Sequence, residues 1–104
     1  MISINPVNSK VIAKHQPFTN SEILNKINLT YDEFLLWKDV SIDEKKKYLL
    51  KISEELKNNV EYHASIITAE MGKPIRESRL EVEKCALVCK YYAENAHDFL
   101  KDEP

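Results

Sequence analysis

The sequence predicts a mainly α segment in which a short N-terminal β-hairpin precedes three amphipathic helices. Residues 19–22 and 41–44 both have the Ser/Thr-x-x-Glu pattern of a helix capping box. Apolar residues recur at steps of three and four over most of the remaining chain, as in helices that bury one face. Gly72 is the only glycine, and Pro74 follows two residues later, a combination that ends one helix and allows another to begin.

The hairpin is predicted over about residues 2–15. Ile2 and Ile4 alternate with polar neighbours, residues 5–9 carry turn-forming side chains, and β-branched residues resume at 11–12. Pro17 then ends the extended segment. Two strands alone are marginally stable in water, so the hairpin needs another surface to pack against.

The three helices are predicted over about residues 20–37, 42–70 and 75–100. The first carries an apolar stripe formed by Ile23, Leu24, Ile27, Tyr31, Phe34 and Leu35. The second carries a stripe formed by Tyr48, Leu49, Ile52, Leu56, Val60, His63, Ile66 and Ile67. Gly72 is expected in the left-handed conformation that follows a helix, and Pro74 can serve as the first residue of the third helix.

The third helix is predicted to bury an apolar seam that only Ser78 interrupts. The seam consists of Ile75, Val82, Cys85, Cys89, Tyr92, Ala96 and Phe99. Three continuous apolar faces and a hairpin are more than one small segment is expected to cover by itself. We therefore expect association through this seam, with Val82, Cys85, Cys89, Tyr92 and Phe99 as the contact residues.

The composition argues against several classes of protein. Fifteen basic and 17 acidic residues give a net charge of −2, which creates no field that attracts nucleic acid. No run of 18 apolar residues occurs, and the opening residues lack the features of a secretory signal. A cytoplasmic location is expected, where Cys85 and Cys89 would be reduced thiols.

Candidate chemical groups in the sequence are few. Cys85, Cys89 and His97 could supply three ligands for zinc, but a closed zinc site needs four ligands and no fourth is in register. Both cysteines are better explained as small apolar residues of the seam. His15 and His63 have no nucleophile at motif spacing, and a single glycine excludes a glycine-rich phosphate loop. We predict no catalytic, cofactor-binding or metal-binding residue.

Five short patterns nevertheless occur in a specific order. Residues 3–6 read Ser-Ile-Asn-Pro, residues 34–37 read Phe-Leu-Leu-Trp, and residues 70–75 read Glu-Met-Gly-Lys-Pro-Ile. Glu-Val-Glu-Lys-Cys-Ala follows at 81–86 and Tyr-Tyr-Ala-Glu-Asn-Ala at 91–96. In order and spacing they resemble the start of the NAD(P)-dependent aldehyde dehydrogenases, above all the succinate-semialdehyde group. One departure is the first turn, where this family usually has a glycine and this chain has Val-Asn-Ser-Lys at 7–10. Asparagine tolerates positive φ, so a turn is still expected there.

The resemblance implies an α/β parent enzyme that oxidises succinate semialdehyde or a similar aldehyde to the acid with NAD or NADP. It also implies that the catalytic cysteine, the glutamate base and most of the cofactor-binding domain lie outside residues 1–104. A segment of this kind is expected to bind no cofactor alone and to be inactive alone.

Three functions remain open at this point. The first is an inactive N-terminal fragment of an aldehyde dehydrogenase, whose partner is the remainder of such an enzyme. The second is a non-catalytic helical module that binds itself or a full-length relative. The third, a zinc-binding regulator, has only the incomplete ligand set to support it.

Overall fold

The computed structural model describes residues 1–102, which form two strands and four helices. An antiparallel hairpin consists of β1 (Ile2–Ile4) and β2 (Val11–Lys14). The helices are α1 (Asn20–Trp37), α2 (Ile42–Asn58), α3 (Val60–Met71) and α4 (Ile75–Phe99). Within the described residues, none of these helices combines the length and apolar composition that crossing a bilayer requires.

The hairpin pairs Ile2 with Lys14 and Ile4 with Val11, with a register shift between Ser3 and Ile4. Its left-handed residue is Ser9, at φ 59°, and not Asn8. Asn8 supports the turn differently, because its Oδ1 accepts a hydrogen bond from the Lys10 amide at 3.0 Å. The turn therefore forms without glycine, although a different residue adopts the positive φ.

The hairpin packs against the junction between α3 and α4. Ser3 Oγ donates to Glu70 Oε1 at 2.9 Å. Gly72 ends α3 in the left-handed conformation, at φ 69° and ψ 15°. A Cβ at this position would lie 3.0 Å from Pro6 Cγ and 3.4 Å from Val7 Cγ2. The hairpin thus finds the supporting surface that two isolated strands need.

Both predicted helix starts are capped as the sequence indicates. Thr19 and Glu22 form a complete capping box, in which the Thr19 amide donates to the Glu22 carboxylate at 2.7 Å. Ser41 Oγ accepts from the Glu44 amide at 3.2 Å. The second box is only half formed, because Glu44 pairs with Lys47 instead.

The prediction of one helix over residues 42–70 is wrong, since the chain forms two helices that meet at Asn59. Asn59 has φ −121° and ψ 30°, outside the helical region. Its Nδ2 donates to Glu55 Oε1 at 2.7 Å and to the Glu55 carbonyl at 3.3 Å. Asparagine side chains compete with the backbone for hydrogen bonds in this way and so interrupt helices. The apolar stripe nevertheless continues from α2 into α3. Hydrophobic periodicity therefore does not reveal the break.

The core lies where α2 and α3 pack on α4, and it is made of small residues. Its buried members are Ser53, Ala64, Ser78, Val82, Ala86 and Ala93. Ser53 Oγ donates to the Ala86 carbonyl at 2.7 Å, and the Thr68 and Ser78 hydroxyls are 2.9 Å apart. Such contacts require a close approach of the helices that large side chains would prevent.

The predicted seam of the last helix is therefore partly wrong. Val82 is buried, but Cys85, Tyr92 and Phe99 are exposed. Ser78, predicted to interrupt the seam, is fully buried. Successive residues of a helix lie about 100° apart around its axis, so residues one position apart belong to different faces. The predicted seam therefore lies on a face next to the one that is buried. Pro74 is also the residue before α4, and not its first residue.

The described chain is more open than an independent domain of this size. Its radius of gyration is 18.3 Å, whereas about 13 Å is typical of a compact domain of 100 residues. Its accessible surface is 8691 Å², and roughly 6,000 Å² is usual for a folded monomer of this mass. α1 contributes strongly, because none of its residues is buried among the described residues.

Candidate functional site

The three candidate zinc ligands do not converge in the structure. Cys85 is exposed, Cys89 is half-buried, and His97 Nε2 lies 2.9 Å from Asp43 Oδ1. Within residues 1–102, no group of three His, Cys, Asp or Glu side chains is placed to hold a metal ion. The described residues thus offer no fourth ligand and no geometry for a closed zinc site.

Cys85 does not have the surroundings of a catalytic thiol. It lies in the middle of α4, whereas activated thiols are found at helix N-termini or beside a cation or base. Lys73 and Glu81 line the same shallow pocket as Cys85. Lys73 Nζ donates to Glu81 Oε2 at 2.7 Å, and this bond raises the pKa of Lys73. The lysine of this pocket is therefore already paired with a carboxylate.

The three histidines remain on separate elements. His15 follows β2, and its carbonyl accepts from the Met1 amine at 2.8 Å. His63 lies on α3 with its ring 5.2 Å from that of Tyr62. His97 is near the end of α4. None of them is hydrogen-bonded to a serine or cysteine side chain of the described residues, so no nucleophile and base are paired there.

A concave apolar groove, which we call the α2–α4 groove, lies between the start of α2 and the end of α4. Its volume is about 590 Å³. It is lined by Ile42, Lys45, Lys46, Leu49, Tyr92, Ala93, Ala96, Phe99 and Leu100. Most of these side chains are apolar, so the groove can bury apolar groups but holds no reactive pair. Helical periodicity identifies many of these residues individually, but only the packing of α2 on α4 brings them together.

Asp43 and His97 link the two helices beside this groove, although they are 54 residues apart in the sequence. A carboxylate can only accept hydrogen bonds, so His97 Nε2 is the donor in this contact. The hydrogen bond from His97, followed by the charge of that ring, lowers the pKa of Asp43. Sequence reasoning missed this pair, because Asp43 looks like an ordinary first-turn carboxylate.

This pair predicts a small pH-dependent contribution to stability. A carboxyl group with a lowered pKa stabilises the folded state above its unfolded pKa of about 3.9, and this contribution is lost as the pH falls through the folded value. Asp43→Asn should therefore lower the urea midpoint at pH 7, and this effect should shrink as the pH falls below about 3.9. The exposed Glu83→Gln is the control and should show no such pH dependence. Equal midpoints for wild type and Asp43→Asn at pH 7 would contradict the interpretation.

Comparison with known proteins gives a consistent assignment. The sequence profile of the aldehyde dehydrogenase family matches residues 1–103. Succinate semialdehyde dehydrogenase [NAD(P)+] Sad of Escherichia coli (strain K12) is 37% identical over 103 residues, which are 99% of this chain and 22% of that protein. The chain spans about 22% of the length of the curated relatives it matches.

Solved structures share the fold as well. Succinic semialdehyde dehydrogenase of Streptococcus pyogenes, in complex with NADP+, matches 99% of this chain and 23% of its own chain. The TM-score is 0.92 at 26% identity. Glyceraldehyde-3-phosphate dehydrogenase GapN of Methanocaldococcus jannaschii, complexed with NADP, matches 99% of this chain and 22% of its own, with a TM-score of 0.89 at 28% identity.

Proposed function

This chain belongs to the aldehyde dehydrogenase family and is homologous to the N-terminal part of NAD(P)-dependent members, and we propose from this that it is the N-terminal packing segment of such an enzyme. The proposed reaction of the whole enzyme is oxidation of succinate semialdehyde, or a similar aldehyde, to the acid with NAD or NADP. The segment contributes structure to this enzyme and no reacting group.

The observation that carries the proposal is the surface that the chain leaves uncovered. Its accessible area of 8691 Å² exceeds the area usual for its mass by roughly 2,700 Å². Much of the exposed surface is apolar, including Ile23, Leu24, Ile27, Tyr31 and Phe34 on α1. Large exposed apolar faces mark sites of association. The remainder of an aldehyde dehydrogenase would cover these faces.

The described residues alone do not fit a nicotinamide cofactor. Dinucleotide sites usually need glycines where the backbone approaches the pyrophosphate. Gly72 is the only glycine, and Pro6 and Val7 cover the space where its side chain would be. The cofactor is therefore assigned to the remainder of the enzyme.

Enzyme assays test this assignment directly. The chain alone should produce no reduced cofactor above the blank with succinate semialdehyde and NAD or NADP, because it lacks an activated thiol. Co-expression with the part of the E. coli relative that follows the matched region should give a complex that reduces cofactor. Activity of this chain alone that disappears on Cys85→Ser or Cys89→Ser would overturn the proposal.

A pair of α1 variants makes the test specific. Ile27 is 57% exposed within the apolar stripe, and Asn25 lies on the opposite side of the helix. Ile27→Asp places a charge where the remainder should pack, so it should reduce co-purification about tenfold or more. Asn25→Asp carries the same charge on the other face and should co-purify like wild type. Equal recovery of both variants would count against packing through this stripe.

The exposed apolar faces also favour a second function, that of a non-catalytic module which binds itself or a full-length relative. Such a module would associate with a complete aldehyde dehydrogenase without supplying a segment that the enzyme lacks. Co-expression with the truncated E. coli relative and, separately, with the complete relative separates the two functions. Activity that depends on this chain supports the packing segment, and a complex that leaves the activity unchanged supports the binding module.

A further inference from the structure

α1 meets α2 at a corner of the chain, and few contacts hold α1 in place. Among the described residues, the extensive contacts between helices involve α2, α3 and α4, and α1 has none of comparable extent. At the other end of α1, residues 15–19 connect it to the hairpin without forming a strand or a helix. The position of α1 therefore depends on its corner with α2.

The backbone of this corner does not fix the angle between the two helices. The amides of Asp39 and Val40 donate to carbonyls at the end of α1, at 3.3 and 3.2 Å. The Lys45 amide donates to the Ser41 carbonyl at 3.0 Å, within the first turn of α2. Each of these bonds stays on one side of the corner, so they leave the angle to the side chains.

Three side chains, which we call the corner cluster, join the two helices: Trp37, Lys45 and Tyr48. The Trp37 and Tyr48 rings meet edge to face, with centroids 5.3 Å apart and planes at 65°. Lys45 Nζ lies 5.6 Å from the Trp37 ring centroid and 3.5 Å from the Lys38 carbonyl oxygen. Ring edges and ammonium groups are positive and ring faces are negative, so both contacts with Trp37 are attractive. The corner cluster thus holds α1 against α2.

We propose that the corner cluster positions α1 at the angle at which the remainder of the enzyme packs on it. This inference rests on the proposed function, in which that remainder covers the α1 stripe. A helix that is free to swing must be ordered on binding, and this cost lowers the affinity. The observed dissociation constant rises in proportion as the binding-competent fraction falls. Trp37, Lys45 and Tyr48 are therefore positioning residues that act through α1.

Tyr48→Ala tests the corner cluster in the chain alone. Spin labels at Asn25→Cys on α1 and Lys57→Cys on α2, both exposed positions, report the distance between the helices. Cys85→Ser and Cys89→Ser remove the native thiols. Double electron–electron resonance should give one narrow distance while the cluster is intact. Tyr48→Ala should broaden it, because loss of one aromatic pair lowers the ratio of fixed to released α1 about two- to tenfold. Tyr48→Phe keeps the ring pair and should restore the narrow distance.

Two further variants keep this test specific. Tyr62→Ala is the matched control, because Tyr62 is 65% exposed but lies on α3, and it should leave the distance unchanged. Lys45→Met removes only a charge from the cluster and should broaden the distance less than Tyr48→Ala does. Circular dichroism should show the same helical content throughout, so that broadening reports the angle. A broad distance with the cluster intact, or equal widths with and without Tyr48, would overturn the proposal.

Co-expression with the same part of the E. coli relative separates positioning from direct contact. Tyr48→Ala should reduce recovery of the complex about two- to tenfold, following the loss of fixed α1, and Tyr48→Phe should restore it. The complex that does form should dissociate at the wild-type rate, because α1 is ordered before it binds. Faster dissociation would show that Tyr48 itself contacts the partner and would overturn the positioning role.

The same experiment distinguishes this proposal from the proposed function. Failure of the wild-type chain to form a complex would overturn the proposed function. A wild-type complex whose recovery is unchanged by Tyr48→Ala would overturn the positioning role alone.

Discussion

Replacing Ala86 with leucine should lower the free energy of unfolding by about 3 kcal/mol, the upper end of the usual cost of overpacking. Ala86 has no exposed surface, and its carbonyl accepts a hydrogen bond from Ser53 Oγ at 2.7 Å. This bond holds the backbone of α4 close to α2. A leucine side chain has no space there unless the two helices separate, which would also break the bond.

Urea denaturation followed by circular dichroism provides the measurement. Glu83→Leu is the matched control, because it adds the same side chain to α4 at an exposed position. Surface substitutions of this kind usually change stability by no more than about 0.5 kcal/mol. If Ala86→Leu and Glu83→Leu had the same midpoint, the close packing of α2 on α4 would be wrong.

Gly72→Ala should cost about 2 kcal/mol for two separable reasons. The left-handed conformation at φ 69° costs a residue with a Cβ about 1 kcal/mol or more. The added Cβ would also lie 3.0 Å from Pro6 Cγ, so the hairpin must move away. We therefore expect a lower denaturation midpoint and faster amide exchange in the hairpin.

A double-mutant cycle with Pro6→Ala separates the two contributions, because that change removes the atom nearest the new Cβ. The combined variant should recover the steric part and retain the conformational part of the loss. An unchanged midpoint for Gly72→Ala would contradict both reasons. Additive effects of Gly72→Ala and Pro6→Ala would leave only the conformational cost.

The family could be identified from the sequence because its patterns span the whole chain in order. The profile match over residues 1–103 and the structural similarity confirm that identification. The α2–α4 groove and the hydrogen-bonded pair beside it could not be predicted from the sequence. Asp43 and His97 carry no pattern that relates them, and their contact exists because the end of α4 lies beside the start of α2.

The sequence by itself determined the features whose energies are local. Thr19 and Ser41 each cap a helix through a hydrogen bond to an amide three residues away. Gly72 ends α3 because a left-handed residue can close the last turn within its own neighbourhood. Each of these signals acts within about one helical turn, so the composition of that turn is enough to predict it.

Only the tertiary structure decided which face of α4 is buried and where the hairpin rests. Ser78 is fully buried, with its hydroxyl 2.9 Å from that of Thr68 on another helix. Ser3 is held by Glu70, which is 67 residues away. Packing depends on how closely two helices approach, and that distance is set jointly by small residues on both of them. The apolar periodicity of one helix does not identify the residues of another helix that pack against it.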